Sequence, residues 1–284
     1  MTSSPACALS VHQLSLQYDG VTVLDSIALN IPEGAVVGLI GRNGAGKSSL
    51  IRCMLGLSVP QSGGASILGD PSLALSDTVR ARIGYVPQQS TLIESMQMWQ
   101  HIEYIGGFYP RWTAQRARDL CIKIGLPEDL KVKNLSVGDK QKLSIVLALA
   151  HDPELVLMDE PVASLDPMMR RDFMRILFDT DRPRTILLSS HLLSDLERVV
   201  SHVALVRDGK LQLFDSWDGL AENVRVISMP THTPEQAGIL RQTQTGKDWR
   251  LVVDMRQLEA SRLCEAAKQS PALGLEDLFE ELNA

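Results

Sequence analysis

The chain has 284 residues, 44% of them hydrophobic and 22% charged, and a formal net charge of -6. That length holds one large domain or two smaller ones, with the composition of a globular protein. The acidic balance argues against nucleic acid as the main partner, because phosphate backbones attract basic surfaces. No apolar run approaches the ~18 residues of a membrane-spanning helix, so a membrane role is expected to come through a partner. The opening "MTSSPACALS" lacks the basic lead and apolar core of a signal peptide. Cys7, Cys53, Cys121 and Cys264 are scattered without a C-x-x-C pair, as expected of reduced thiols in a cytoplasmic protein.

In chain order, "LSVHQLSLQY" and "TVLDSIALNI" alternate apolar and polar residues and read as strands of an antiparallel sheet. "GAVVGLI" is a continuous apolar run, the pattern of a strand buried on both faces. It leads into "GRNGAGKSS", after which "SLIRCMLGL" reads as an amphipathic helix. From about Glu94 to Asp129 the pattern is helical, and a long apolar helix follows "NLSVGDKQK". The buried strand "LVLMDE" comes next, then a helix after "SLDP", with Asp166 as cap and Pro167 in the first turn. "TILLSS" is a further buried strand ending at His191, and "HVALVRDGKLQLF" reads as a hairpin turning at Asp208-Gly209.

Strands alternating with helices imply an α/β fold with a mostly parallel core sheet. From about Ser216 onward, "VRVISM", "WRLVVDM", "LEASRLCEAAK" and "LEDLFEEL" suggest a small α/β appendage. The expected organisation is a main domain over 1–215, with a helical subdomain at about 94–150, and an accessory domain over 216–284.

"GRNGAGKSS" fits G-x-x-x-x-G-K-[ST] between a buried strand and a helix. Gly41, Arg42, Asn43, Gly44, Ala45 and Gly46 form a loop whose backbone N–H groups can wrap phosphates, continuing into Lys47, Ser48 and Ser49. Lys47 is suited to the outer phosphates, and the Ser48 hydroxyl to Mg²⁺. "LVLMDE" carries Asp159 and Glu160 to a strand end, where open α/β sheets bind ligands. Asp159 fits a ligand in the water shell of Mg²⁺, and Glu160 fits the group that orients the attacking water.

Together with the phosphate loop, "YVPQQ", "LSVGD", "LVLMDEP", "SLD" and "SSH" follow in this order at fitting spacings. On these motifs, over about residues 8 to 215, the chain resembles the ATP-binding-cassette ATPases, the nucleotide-binding subunits of membrane transporters. "FYPRW" and the ending "GLEDLFEEL" look like bacterial exporter-type systems whose membrane parts are separate chains. The resemblance implies a P-loop core with an N-terminal antiparallel β subdomain and a helical subdomain. It implies ATP and Mg²⁺ as ligands, transmembrane permease subunits and a second ATPase subunit as partners, and a position on the inner face of the membrane.

It also implies roles. Tyr18 would stack on adenine, Gln88 would sense Mg²⁺ and the γ-phosphate, and His191 would contact that phosphate. Asp166 would connect the two sites of a dimer. Ser136 and the Gly138 backbone would grip the ATP held by the other subunit. Two residues depart from L-S-G-G-Q, Val137 in place of glycine and Asp139 in place of glutamine. Asp139 can either repel the partner's phosphates or turn back to cap its own helix, which the S-x-x-D spacing permits. A non-transport ATPase working in regulation, assembly or on nucleic acid or ribosomes is the alternative. One cassette and no heptad run count against its nucleic-acid forms.

Overall fold

The computed structural model describes residues 7–127, 130–178, 183–190, 193–234, 236–258 and 262–283. The chain begins with two long strands, β1 (Cys7–Tyr18) and β2 (Val21–Pro32), followed by β3 (Val36–Ile40) and α1 (Lys47–Met54). Three strands and a short helix come next, β4 (Ser62–Ile67), β5 (Asp70–Pro71), α2 (Asp77–Arg80) and β6 (Ile83–Val86). A helical stretch contains α3 (Met98–Gly106), α4 (Ala114–Lys123) and α5 (Val137–Leu149). The core then alternates through β7 (Leu155–Asp159), α6 (Pro167–Phe178), β8 (Thr185–Ser189), α7 (Leu193–Leu196) and the hairpin β9 (His202–Arg207) to β10 (Lys210–Ser216). The last part holds α8 (Trp217–Asn223), β11 (Val224–Met229), β12 (Ile239–Thr245), β13 (Asp248–Asp254), α9 (Arg262–Gln269) and α10 (Leu275–Asn283).

A six-stranded sheet in the order β10-β9-β3-β8-β7-β6 forms the centre, parallel except for the antiparallel edge β10. Its inner strands β3, β7 and β8 are mostly apolar and almost wholly buried because both faces are covered, whereas the edge strand β10 is polar at Lys210, Gln212 and Asp215. Val37, Leu39, Leu155, Leu157 and Leu187 point into a core shared with the antiparallel sheet β2-β1-β4-β5 and α1. Ile40, Val156, Met158, Ile186 and Leu188 point into a second core, shared with the helical stretch. The α5 helix is buried on several sides, through Leu143, Ile145, Val146 and Leu149, as a helix running between layers must be.

The C-terminal sheet β11-β13-β12 is split between two environments. Leu251 and Val253 face α9, while Val252 and the α10 residues Leu275, Leu278 and Leu282 belong to the same core as the central sheet. Among the described residues no helix is long and apolar enough to cross a membrane.

Candidate functional site

The phosphate loop joins β3 to α1, and contacts from three sides fix its path. Gly46 is the N-cap of α1 at φ 103°, and no side chain caps this helix. A Cβ on Gly46 would lie 2.7 Å from Leu24 Cδ2, and one on Gly41 would lie 2.3 Å from the Val206 carbonyl. The β9–β10 turn supports the loop from below, the Gly209 N–H donating to the Ala45 carbonyl at 3.2 Å. The first N–H groups of α1 thus lack a side-chain cap, at the end of the helix that attracts anions. Arg42, Asn43 and Gly44 are exposed, Ala45 is buried, and Ser48 and Ser49 are half-buried at the start of the helix.

Lys47 is buried, and its Nζ donates to the carbonyl of Gly41 at 2.7 Å and that of Arg42 at 3.3 Å. Its Nζ is also 3.8 Å from Glu160 Oε1. Burial pulls the Lys47 pKa down, and the charges of Glu160 and Asp159 oppose that shift.

Strand order explains why a lysine and a glutamate so far apart in sequence meet. β8 lies between β3 and β7, with Ser189 paired in register to Leu39 on one side and Asp159 on the other. The Ser189 hydroxyl donates to Asp159 Oδ1 at 2.7 Å and accepts the Glu160 N–H at 2.9 Å. Glu160 has φ 49°, a backbone conformation uncommon outside glycine. Ser189 carries no signal of its own in the sequence beyond the "SSH" motif, which points to His191.

Three further implied residues sit at element ends or bends. Tyr18 is 46% exposed at the end of β1, with its hydroxyl 3.4 Å from Ser58 Oγ. Gln88 is exposed in the bend after β6. Asp166 caps α6, accepting N–H bonds from Met168 at 2.9 Å and Met169 at 3.0 Å. These bonds, Met169's first, hold its carboxyl below the usual carboxylate range. His191 lies outside the described residues.

The signature segment sits at the N-terminus of α5. Ser136 is the N-cap, and its Oγ accepts the Asp139 N–H at 3.1 Å while donating to Asp139 Oδ2 at 2.7 Å. Asp139 therefore turns back onto its own helix, and Lys142 Nζ holds its other oxygen at 3.2 Å. Val137 is 73% exposed beside it. One turn on, Gln141 is buried and donates from Nε2 to the Pro161 carbonyl at 3.3 Å, directly after Glu160. Ser90 donates to Gln141 Oε1 at 3.3 Å and accepts from Ser144 at 2.8 Å, which ties the Gln88 bend to this helix. Spacing alone does not point to Gln141 or Ser90, whose bonds cross between separate segments.

A groove of about 490 Å³ opens between the core sheet and the helical stretch, lined by Leu57, Tyr85, Leu92, Ile105, Tyr109 and Leu147. Tyr109 stacks on buried His151, with ring centroids 3.9 Å apart and 20° between planes. Burial pushes the His151 pKa down to about 4. Trp99 and Trp112 pack against the second core, whereas Tyr104 and Phe108 are exposed and meet edge to face.

A P-loop between a parallel strand and a helix, an Asp-Glu pair two strands away and an antiparallel β layer together define a nucleotide-hydrolysing P-loop domain. The comparisons specify it further. Residues 24–163 match the family model described as ABC transporter. The chain is 32% identical over 237 residues to the ABC transporter ATP-binding protein YtrB of Bacillus subtilis, covering 82% of this chain and 80% of that one. It is 32% identical to the bacitracin transport ATP-binding protein BcrA of Bacillus licheniformis, over 72% of this chain and 68% of that protein. With the Nod factor export ATP-binding protein I of Neorhizobium galegae it shares 31% identity, over 74% of this chain and 62% of that one.

Among solved structures, an ATP-binding subunit of an ABC transporter superposes with a TM-score of 0.69 at 29% identity, over 76% of this chain and 92% of that one. A cassette solved as a dimer bound to ADP and Pi shares the fold, with a TM-score of 0.67 at 23% identity, over 74% of this chain and 98% of that one. The protein belongs to the ABC transporter ATP-binding family and is an ATP-binding ATPase of that family.

Proposed function

We propose that this chain hydrolyses Mg-ATP between its own phosphate loop and the signature segment of a second ATPase subunit, and so drives separate membrane subunits of an exporter-type transporter. The observation that carries this reading is the meeting of Lys47, at the uncapped start of α1, with Glu160, whose N–H is held together with Asp159 by Ser189. Lys47, now bonded to loop carbonyls, is placed to turn to the outer phosphates when the loop fills. Backbone N–H groups from Gly41 to Ser49 would surround those phosphates, and the exposed Tyr18 would take the adenine face.

Mg²⁺ fits the donors present: a hydroxyl at Ser48, a carboxylate at Asp159 and the amide oxygen of Gln88 are hard oxygen ligands, with phosphate and water to complete the shell. When bound, it would neutralise charge on the phosphate oxygens. Glu160 would orient and polarise the attacking water, with Ser189 and its left-handed backbone fixing its direction. His191 would meet the γ-phosphate. Ser136 and Gly138, with Asp166 from the next segment, would complete the partner's site.

The groove beside Tyr109 is the proposed seat of the membrane subunits, since apolar concave surface with aromatic walls suits an anchoring segment. Exposed Tyr104 and Phe108 would extend it. The chain would thereby work at the inner face of the cell membrane. In this reading residues 1–215 hold the nucleotide chemistry and 216–284 form an accessory unit. Because Leu275, Leu278 and Leu282 are buried in the main core, a chain ended at Asp215 is expected to aggregate rather than to lose a nucleotide ligand.

Glu160→Gln tests the central assignment. Turnover should fall roughly 10²–10⁴-fold, the usual contribution of a positioned base. ATP affinity should hold, and an ATP-dependent dimer should accumulate on sizing columns. Unchanged turnover would remove Glu160 from the catalytic role.

A further inference from the structure

We propose that Asp139 is a built-in competitor for the Ser136 hydroxyl, so that the signature segment of this chain must be unlocked before it can take a partner-held phosphate. The inference rests on the composite-site reading above. A serine hydroxyl has one proton to give. Here it goes to Asp139 Oδ2 at 2.7 Å, a charge-assisted bond and so stronger than one between neutral groups. The Asp139 N–H, a first-turn donor that an incoming anion would seek, is spent on Ser136 Oγ at 3.1 Å. Two groups at this helix start are thus satisfied by each other.

The carboxylate is also held from behind. Lys142 Nζ lies 3.2 Å from Asp139 Oδ1 and donates to the Gly125 carbonyl at 3.3 Å, with both side chains mostly buried. Lys140, in the same turn, is engaged with Glu94 at 2.6 Å. With its charge balanced by Lys142, Asp139 repels a polyanion only weakly at a distance. Its main effect is local: for Ser136 to donate to a phosphate oxygen, the hydroxyl must rotate away from Oδ2, while Oδ1 can stay on Lys142. Asp139 is therefore a positioning residue that sets the threshold for closure.

The test uses the full chain carrying Glu160→Gln, so that ATP is not consumed, and reads the ATP concentration at half-maximal dimer by light scattering. Asp139→Ala is compared with the unaltered residue, alone and together with Ser136→Ala. Freeing the hydroxyl from a charged acceptor should lower that concentration by about ten-fold or more. In the Ser136→Ala background the same substitution should change it by less than about two-fold, because no hydroxyl remains to free. Equal gains in both backgrounds would mean that charge alone acts, and would overturn the proposal. So would the absence of any gain in an Asp139→Ala chain that melts cooperatively. If Asp139→Ala fails to fold, Asp139→Asn takes its place, with a smaller drop expected and no drop overturning. A dimer that forms without responding to Asp139 sinks only this inference; no ATP-driven dimer in any background sinks the composite site as well.

Discussion

Two helix starts in this molecule face the same physical problem and answer it in opposite ways. At α1 the cap is Gly46 in a left-handed conformation, with no side-chain acceptor and no acidic residue in the first turn. At α5 the cap is Ser136, reinforced by Asp139 in the first turn and by Lys142 behind it. The open N–H groups of the first helix cost stability until an anion arrives, which makes it a receptor. The second helix stabilises itself, which leaves less for a partner to gain. One end keeps its N–H groups open to an anion, while the other has its cap occupied from within its own helix.

The largest expected effect comes from closing the open end. Gly46→Ala places a Cβ at φ 103° and 2.7 Å from Leu24 Cδ2, so the loop must move. Left-handed backbone and overpacking together cost about 2–5 kcal/mol, divided between folding and nucleotide binding. Thermal melts with a fluorescent-nucleotide titration measure both, and undiminished affinity would show that the open geometry of α1 is not what binds phosphate.

The far end of α5 supplies the next test, of how firmly that helix is anchored. Buried His151 has its pKa pushed down to about 4, below the ordinary value near 6.5 that it regains on unfolding. The unfolded chain therefore binds more protons between those values, so stability rises with pH across that window and is fully present above it. About 3 kcal/mol should be lost as pH falls from 6.5 to 4. His151→Gln should flatten melting temperature against pH in that range; an unchanged slope would place the titration elsewhere.

Ser189→Ala is expected to have a smaller effect, confined to chemistry. It removes the hydroxyl that fixes Asp159 and the Glu160 N–H, and supporting hydrogen bonds of this kind are worth roughly 10–100-fold in activity. Turnover should fall by that order while monomer ATP affinity stays within about three-fold, since supporting groups act on positioning more than on binding. A loss in affinity alone would mean that Ser189 shapes the loop instead of the Asp-Glu pair. The smallest effect belongs to the self-capped end. Ser136→Ala should cost about 1 kcal/mol of stability, as lost caps usually do, with monomer nucleotide affinity unchanged. A drop in that affinity would break the distinction between the two helix starts.

Much of this is legible in the sequence alone. The phosphate loop, the "LVLMDE" strand and the Asp208-Gly209 hairpin lie at the expected places, because each is a local pattern whose residues are neighbours in sequence. Four strands do not stand out in the sequence: β4 and β6, and with them the two-residue β5 and the polar β12. β4 reads "SGGASI", with two glycines that hide its strand character, and β6 is the four-residue "IGYV". Both are strands because neighbouring strands hydrogen-bond to them, a tertiary effect that outweighs weak local propensity. The aromatic residues between Trp99 and Trp112 read as one cluster, but packing divides them into core and surface.

The sequence by itself determined the chemistry available: a glycine-rich loop, one lysine, paired carboxylates and a serine-led helix start. Each follows from short-range sterics and hydrogen bonding that a few adjacent residues decide. Only the tertiary structure decided which of these groups meet. Strand order set Ser189 between Leu39 and Asp159, and so beside the Glu160 that meets Lys47, since register across β3, β8 and β7 is a property of the whole sheet. The two ways open to Asp139 were also resolved there. A flexible carboxylate chooses between a distant phosphate and its own cap by the partners within reach, and the fold brings Ser136 and Lys142 within 2.7 and 3.2 Å of it.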